Sequence, residues 1–211
     1  MELAHNNVCQ HQLDEVHKRN EEVILRDCTA VDRELNLYSN TKIYQGGYKA
    51  VSVYAEPTQE ACTTLDIYGG HYDILHVHAN SILKTYAYED TVTTTDGNTS
   101  HEVKRHEPVE ANTLIVHHFA ELNDVKAHEV YIHYGRVEIK HDCQIDEINV
   151  QTGSLTIMEK GVKRVSLWND GARVLVSREV NESFILECPN GGVVEVTMLD
   201  DGYTLLKRVT A

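Results

Sequence analysis

A regular spacing of glycines is the feature that most constrains the fold of this chain. Short apolar segments lead into Gly135, Gly153, Gly171 and Gly191, and the steps between these glycines are 18, 18 and 20 residues. A repeat of this length is typical of proteins in which one small unit of secondary structure stacks on the next. The second half of the chain is therefore predicted to be a repeat protein.

Apolar and polar residues alternate within each repeat. Val137 and Ile139 lie two positions apart with Glu138 between them, and Leu155 and Ile157 have the same spacing. Alternation at period two places the apolar side chains on one face of a strand. One unit cannot bury its own apolar row, but stacked units can. We predict an all-β fold, a β-solenoid of short, β-helix-like stacked strands with a repeat of about 18–23 residues.

The turns between these strands contain glycine, which is predicted to supply a positive φ and a tight corner. A meander of ordinary hairpins is the alternative, but it does not explain the nearly constant step. Two segments give the closest match between units, Ile43-Tyr-Gln-Gly-Gly and Ile67-Tyr-Gly-Gly. Their double glycines are 23 residues apart (69 − 46), which indicates longer returns in this part of the chain.

The chain divides into four segments. Residues 1–22 are predicted to form a cap, with a short helix over 7–22 that covers an open strand edge; an oligomerisation helix is the alternative. Two β-solenoid segments are predicted over 23–88 and 112–211. The polar residues 89–111 between them break the repeat. They are predicted to be an insertion that carries function, either a hairpin that projects from the stack or a joint between two segments. A tolerated, mobile excursion without a function is the alternative.

Composition excludes several classes of protein. The chain has 33 acidic and 19 basic residues, and its net charge of −14 argues against binding nucleic acid or an anionic membrane surface. Five cysteines at irregular spacing predict buried free thiols rather than a disulfide framework. The sequence contains neither a secretory signal nor an apolar stretch long enough to span a bilayer, so membrane insertion is not expected.

The repeats resemble the glycine-rich repeats of the AIDA-type adhesin and autotransporter passenger family. The similarity is carried by residues 43–53, 67–77, 130–139, 148–157 and 186–196. Glu, Asp and His replace the Ser, Thr and Asn of the family's surface, and the double glycine is kept at only three places. The resemblance implies a β-solenoid at the cell surface or outside the cell, and it brings no catalytic residues. A chain from which no leader was removed would instead be cytoplasmic.

Thirteen histidines suggest a metal site. His76 and His78 lie two apart on a predicted strand, so their rings face the same side. With a further ligand from a neighbouring unit, this pair would bind a divalent transition metal. The candidates for that ligand are His71, His117, His118, His133 and His141. A solvated histidine ladder on the outer face is the alternative.

Paired carboxylates would indicate a glycan-active enzyme. The candidates on the predicted outer faces are Asp66, Asp73, Glu138, Glu147 and Glu195. The sequence contains no Gly-x-Ser-x-Gly, phosphate-loop or dinucleotide-binding motif.

The function predicted from the sequence is that of a non-enzymatic β-solenoid, part of an adhesin, a tail fibre or a similar surface assembly. It would bind a protein or glycan partner on its surface and need no cofactor. A homo-oligomer is compatible with this architecture. The alternatives are a glycan-active hydrolase or lyase on the same scaffold and an acidic intracellular inhibitor of a basic partner.

Overall fold

The computed structural model describes residues 2–4, 13–14, 22–55, 62–96, 99–180 and 184–210. All secondary-structure elements in these ranges are strands. They are β1 Glu2–Ala4, β2 Val23–Arg26, β3 Thr29–Leu37, β4 Thr41–Val53, β5 Thr63–Val77, β6 Ser81–Tyr86, β7 Tyr88–Asp96, β8 Thr99–Glu107, β9 Val109–Val116, β10 Phe119–Asn123, β11 Val125–Ile132, β12 Arg136–His141, β13 Gln144–Val150, β14 Ser154–Ile157, β15 Val162–Leu167, β16 Arg173–Ser177, β17 Ile185–Glu187, β18 Val193–Met198 and β19 Tyr203–Val209. The prediction of an all-β chain is thus confirmed for this part.

Seventeen of the strands form one mostly parallel sheet, and β7 and β8 form a separate antiparallel pair. The parallel strands are arranged in two ladders. The first ladder runs β1, β2, β4, β5, β6, β10, β12, β14, β16. The second runs β3, β4, β5, β9, β11, β13, β15, β17. Strands β4 and β5 are long enough to take part in both ladders, and they join them into one sheet.

The register of both ladders repeats along the chain. In the first ladder, Arg136 pairs with Ser154, which is 18 positions further on (154 − 136). In the second, Lys126 pairs with Gln144 at the same step of 18 (144 − 126). The glycine spacing in the sequence therefore corresponds to strands that stack in register, one strand in each ladder per unit.

The core is one apolar cluster that takes side chains from the inward faces of both ladders. Val137, Leu155 and Val174 are fully buried and follow one another in register in the first ladder. Val130 and Ile148 do the same in the second ladder. Each buried aliphatic side chain of this kind stabilises the fold by about 1.5–3 kcal/mol, so the repeated columns are a large part of the driving force.

The four glycines of the repeat have two different roles. A Cβ atom on Gly135 would lie 2.4 Å from the carbonyl oxygen of His118, and one on Gly153 would lie 2.3 Å from that of Gly135. These two glycines allow successive units to approach closely, and neither has the positive φ that the sequence predicts. Gly171 and Gly191 do have positive φ, at 89° and 74°, as expected for tight turns.

The two double glycines do not match each other as the sequence suggests. Ile43 pairs with Ile67, but Gly46 pairs with Gly70 at a step of 24 (70 − 46) rather than 23. Gly69 is skipped by the pairing because it occupies a corner with φ of 64°. The first glycine of the second pair thus turns the chain.

The N-terminal prediction is only partly covered by the described residues. Residues 2–4 form β1, which pairs in parallel with β2 and extends the first ladder. Of the helix predicted over 7–22, only Leu13, Asp14 and Glu22 lie within the described residues. Leu13 and Asp14 have a helical backbone and Glu22 does not, and two residues are too few to establish a helix. The capping helix therefore stays a prediction. No helix in the described ranges is long and apolar enough to cross a membrane.

The cysteines agree with the predicted free thiols. None of the four described cysteines forms a disulfide; Cys28 and Cys143 are buried, and Cys62 and Cys188 are half-buried. Cys9 lies outside the described residues.

The C-terminus reverses the direction of the first ladder. Strand β19 pairs antiparallel with β16 on one side and with β18 on the other. The buried guanidinium of Arg208 donates to Asp170 Oδ1 at 2.9 Å and to the carbonyl oxygen of Gly191 at 2.7 Å. These bonds fix the β18–β19 hairpin to the turn that precedes β16.

Candidate functional site

Seven side chains form a column at the corner where each second-ladder strand ends. The amide of His78 donates to Val53 O at 3.1 Å, and the amide of His117 donates to Val77 O at 2.8 Å. The same kind of backbone bond holds Tyr54, His133, Gln151 and Trp168 in register, and the Tyr38 ring stacks on that of Tyr54 at 5.1 Å. We call this set the aromatic column. Its members are Tyr38, Tyr54, His78, His117, His133, Gln151 and Trp168.

The rings of this column stack on one another. The ring of His78 lies 3.9 Å from that of Tyr54, and His117 lies 4.6 Å from His133 at an interplanar angle of 5° (centroid distances). His133 Nδ1 is 2.8 Å from Gln151 Oε1. The ring faces within this part of the column therefore cover each other.

His76 and His78, the pair predicted to bind a metal, lie side by side. Their ring centroids are 3.8 Å apart, and His117 is 5.1 Å from His76. In the described part of the chain, the Nε2 atoms of His76 and His78 are buried without a hydrogen-bond partner. Burial, together with the neighbouring imidazoles, lowers the pKa of His76 to about 4. The pair is therefore neutral at physiological pH.

The other proposed metal ligands are dispersed. His71 Nδ1 lies 2.9 Å from Glu110, His141 Nδ1 lies 3.0 Å from Glu159, and His118 faces the thiol of Cys62 at 3.8 Å. Among the described residues, no group of three or more His, Cys, Asp or Glu side chains is arranged to hold a metal ion. Metal binding by His76 and His78 stays a prediction.

A second column follows the bulges of the second ladder. One residue per strand is skipped by the pairing and points outward, and we call these residues the bulge column. They are Lys49, Asp73, Asn112, His128, Asp146 and Lys163.

Oppositely charged side chains contact each other in one part of the bulge column. Asp146 contacts His128 Nδ1 at 2.9 Å and accepts a hydrogen bond from Lys163 Nζ at 2.6 Å. The bond to Asp146 raises the pKa of His128, whereas the bonds from Lys163 and His128 lower the pKa of Asp146. Three of the six residues in the column, His128, Asp146 and Lys163, thus form ion pairs between neighbouring strands.

The carboxylates proposed for glycan hydrolysis are not paired for catalysis. Asp66 lies in register between Lys42 and Lys84, and burial raises its pKa. Glu138 lies three strands away in the same ladder, which is roughly 14 Å at about 4.8 Å per strand, beyond the range that hydrolysis needs.

Glu121, a carboxylate that the sequence did not single out, lies next to Glu138 in the first ladder. The two are directly paired, and Lys140 Nζ lies 2.8 Å from Glu121 and 3.7 Å from Glu138. The hydrogen bond from Lys140 lowers the pKa of Glu121. A glycosidase requires one carboxyl of its pair to be protonated near neutral pH, so this arrangement suits an ion-pair network rather than acid catalysis.

The remaining three carboxylates lie in separate places. Asp73 accepts a hydrogen bond from Asn112 Nδ2 at 2.9 Å in the bulge column. Glu147 lies between Glu129 and Arg164 on the outer face of the second ladder. Glu195 lies opposite Lys207 in the C-terminal hairpin.

Three tyrosines form a further stack on the outer face of the first ladder. Tyr44 and Tyr68 are 4.6 Å apart and Tyr68 and Tyr86 are 5.0 Å apart, while Arg26 lies 4.2 Å above Tyr44 (centroid distances). A sugar ring binds to the free face of an aromatic ring. Because these faces already cover each other, the stack does not provide such a platform.

The corner from the first ladder to the second is turned by single residues. We call them the corner column, and each has a left-handed backbone with φ between 42° and 64°. They are Asp27, Gln45, Gly69, Asp124 and Asp142. Asp and Asn tolerate this conformation better than other residues that carry a Cβ atom, which explains the choice of residue types.

One unit replaces its corner residue with the hairpin β7–β8. Tyr68 pairs with Tyr86, and Gly70 pairs with Val109. Residues 87–108 therefore occupy the place that Gly69 fills in the preceding unit. The ladders continue on both sides of the hairpin without loss of register.

The base of the hairpin is fixed to the units on both sides. Gln45 Nε2 donates to Glu107 Oε2 at 2.8 Å, and His106 Nε2 lies 3.1 Å from Asp124 Oδ1. A Cβ atom on Gly69 would lie 3.0 Å from the carbonyl oxygen of Glu107, so the glycine allows the hairpin to pack closely. An isolated two-stranded hairpin is only marginally stable, and these contacts give it support.

A groove of about 560 Å³ begins at the hairpin base. Its acidic side chains, Asp124, Asp142 and Glu159, belong to successive corners. Lys126 and Lys160 also line it. Burial raises the pKa of the Cys143 thiol in its floor to about 12, so the thiol is not a nucleophile. The groove suits recognition rather than chemistry.

Comparison with known proteins adds no functional assignment. No protein-family model matches the chain, and no curated protein or solved structure is significantly similar to it. The arrangement of its own residues therefore carries the functional argument.

Proposed function

We propose that this protein is a non-enzymatic β-solenoid that binds a partner, as part of an adhesin, a tail fibre or a similar surface assembly. The observation that carries the proposal is the hairpin β7–β8, which takes the place of one corner residue. The repeated units supply a rigid stack, and the hairpin is the one described element that leaves it. Projecting elements on such scaffolds are where binding residues are usually found.

The solenoid part of the proposal is supported by the register of the two ladders. Equivalent residues such as Leu155 and Val174 occupy the same position in successive units. The binding part is supported by the composition of the hairpin, whose residues Thr91, Thr93, Lys104 and Arg105 present hydroxyl and charged groups. Such groups suit hydrogen bonding to a protein or a glycan.

Replacement of residues 87–108 by one asparagine tests the proposal. Asparagine tolerates the left-handed conformation of the corner column, so the shortened chain should fold with a similar thermal midpoint. We expect the labelled full-length chain to bind members of a panel of immobilised glycans and cell-surface proteins. The shortened chain should bind the same partners with a dissociation constant at least about tenfold higher, which corresponds to a loss of about 1.4 kcal/mol of binding free energy.

The control is Asp27→Asn, which changes a corner residue and leaves the hairpin intact, and it should bind normally. A shortened chain that folds and still binds as tightly would contradict the role of the hairpin. A hydrolase or lyase activity on polysaccharides that disappears when one acidic residue is changed would overturn the non-enzymatic proposal.

The three acidic side chains of the groove favour a second function, the binding of a basic protein. Asp124, Asp142 and Glu159 follow one another along the corner and would meet lysine or arginine side chains. Polylysine retention at low salt and release at high salt would support this function. The double variant Asp142→Asn, Glu159→Gln should bind polylysine more weakly. Equal retention of the variant would mean that the overall charge, and not the groove, is responsible.

A further inference from the structure

Four histidine rings lie together where the second-ladder strands β5, β9 and β11 end. The ring centroids of His76 and His78 are 3.8 Å apart, His117 is 5.1 Å from His76, and His133 is 4.6 Å from His117. All four side chains are half-buried, and we call them the histidine cluster. At these separations, a proton on one ring strongly disfavours a proton on the next.

The histidine cluster differs from the other histidines in its partners. Four histidines elsewhere lie against carboxylates: His71 against Glu110, His106 against Asp124, His128 against Asp146 and His141 against Glu159. Within the described ranges, no carboxylate lies at ion-pair distance from a ring of the cluster, although the chain has 33 acidic residues. The cluster is therefore a place where this acidic chain leaves imidazoles without counter-charges.

The groups that face the cluster from the neighbouring strands and turns include no carboxylate in the described part of the chain. They are the rings of Tyr54 and Tyr134, the amide of Gln151, and Ser52 and Ile115, which pair with His76. Two titratable groups on the same chain segments have other partners. His118 faces the Cys62 thiol, and the Glu129 carboxylate accepts a hydrogen bond from the Tyr131 hydroxyl. A positive charge in the cluster thus has no counter-charge in contact.

Protonation would also create donors that the cluster cannot satisfy. An imidazolium has two N–H donors, whereas a neutral imidazole has one. The Nε2 atoms of His76 and His78 are buried and have no acceptor among the described residues. Burial, with the neighbouring imidazoles, lowers the pKa of His76 to about 4, and burial also lowers the pKa of His78 and of His117. These rings therefore take up protons more readily when they are exposed to water.

Backbone hydrogen bonds hold the rings of the cluster together. The amide of His78 donates to Val53 O at 3.1 Å, that of His117 to Val77 O at 2.8 Å, and that of His133 to Val116 O at 3.0 Å. They follow directly after the last residues of β5, β9 and β11. Since they keep neighbouring corners about 4.8 Å apart, the rings can separate only if these bonds open.

We propose that the histidine cluster is an acid-sensitive switch, in which protonation opens the backbone hydrogen bonds of His78, His117 and His133 while the paired strands stay folded. The folded-state pKa of the cluster is lowered, so its contribution to stability is present above pH 6.5 and is lost as the pH falls. The strands themselves are anchored by core residues such as Val77 and Val116.

The later units supply an internal reference for this switch. Gln151 and Trp168 occupy the equivalent corners, and their amides donate to Ile132 O at 2.8 Å and to Val150 O at 2.9 Å. Neither side chain titrates, so acid should leave the Trp168 corner closed. The switch goes beyond the proposed binding function, because it involves neither the hairpin β7–β8 nor a partner.

Hydrogen exchange followed by NMR at about pH 7.5 and about pH 5 tests the proposal, after correction for the intrinsic exchange rates. A ring with a folded-state pKa of about 4 and an unfolded value of about 6.5 favours the water-exposed state by roughly thirtyfold at about pH 5. Protection of the His78, His117 and His133 amides should therefore fall at least about tenfold at the lower pH. The Trp168 amide should keep its protection.

The double variant His76→Gln, His117→Gln replaces two rings of the cluster with neutral side chains and should lose much less protection at about pH 5. The matched control is His141→Gln, outside the cluster, which should lose protection as the wild-type chain does. Unchanged protection of the three amides in the wild-type chain would overturn the proposal, whether or not a variant folds. A loss that extends equally to Trp168, or that persists in full in the double variant, would show general acid unfolding and would also overturn it.

Discussion

The protonation behaviour of each histidine depends on the residue that the next unit places beside it. His128 lies against Asp146, whose hydrogen bond raises its pKa. His76 lies against His78 and His117, and burial among these imidazoles lowers its pKa to about 4. Both residues are histidines, and their pKa values shift in opposite directions because their neighbours along the stack differ.

This difference predicts opposite effects of pH on stability. The folded-state pKa of His76 lies below its unfolded value, so its contribution is present above pH 6.5 and is lost as pH falls toward about 4. The unfolding free energy of His76→Gln should therefore depend less on pH between pH 6.5 and about 4 than that of the wild-type chain. For His128, whose folded-state pKa is raised, the contribution is present at low pH and is lost as pH rises through the raised value.

Urea unfolding at a series of pH values measures both effects, with His128→Gln as the counterpart of His76→Gln. His128→Gln should destabilise the protein mainly at acidic pH, where the imidazolium pairs with Asp146. The same pH profile for the two variants would contradict the account of their environments.

The sequence predicts some of these residue contacts and misses others. Alternation places His76 and His78 on one side, and their rings do meet. The stacking of His78 on Tyr54 could not be predicted, because the units here are separated by a return of different length. A signal was nevertheless present, since every member of the aromatic column directly follows the last core residue of its strand, as Tyr54 follows Val53.

At the scale of elements, the corners tolerate insertion and the strands do not. The polar segment predicted over 89–111 covers the hairpin Tyr88–Glu107 except for its first residue, whereas Val109 and Ala111 are buried in β9. The polar composition of the segment indicated an insertion, but it did not indicate the residue at which the insertion ends. Pro108 and Glu110 both belong to the predicted polar segment, although Glu110 lies in β9, which is part of the second ladder.

The C-terminal hairpin gives a test at this scale. Arg208→Met removes the charged hydrogen bonds to Asp170 and Gly191 O, and it should destabilise β18–β19 by about 1–3 kcal/mol. Hydrogen exchange should locate the loss in these two strands. Lys207→Met, at the exposed neighbouring position, is the control and should cost far less. Uniform loss of protection across both ladders would contradict a local role.

For the whole molecule, the all-β class and the stacking of units followed from the sequence because one physical requirement repeats. Each unit must bury its apolar row against its neighbours, as Leu155 does between Val137 and Val174. The assignment of strands to two ladders did not follow. It depends on corner residues such as Asp124, whose left-handed φ cannot be read from an apolar pattern.

The regular register predicts that the chain accepts an additional unit. Residues 136–153 contain one strand of each ladder at a step of 18. A duplicate of this segment should fold and lengthen the particle by about 4.8 Å, the spacing between neighbouring strands. Small-angle X-ray scattering measures that change. An insertion of equal length made of glycine and serine is the control, and a duplicate that leaves the length unchanged would contradict the stacking.

The register also has a consequence for synthesis on the ribosome. Each parallel strand from β11 to β17 pairs with a strand that was made about 16–21 residues earlier, so a new unit can dock as soon as it emerges. Growth can therefore proceed from the N-terminus in step with translation, without waiting for distant partners. The antiparallel hairpin is translated after these strands, and its reversal of direction ends the growth of the first ladder.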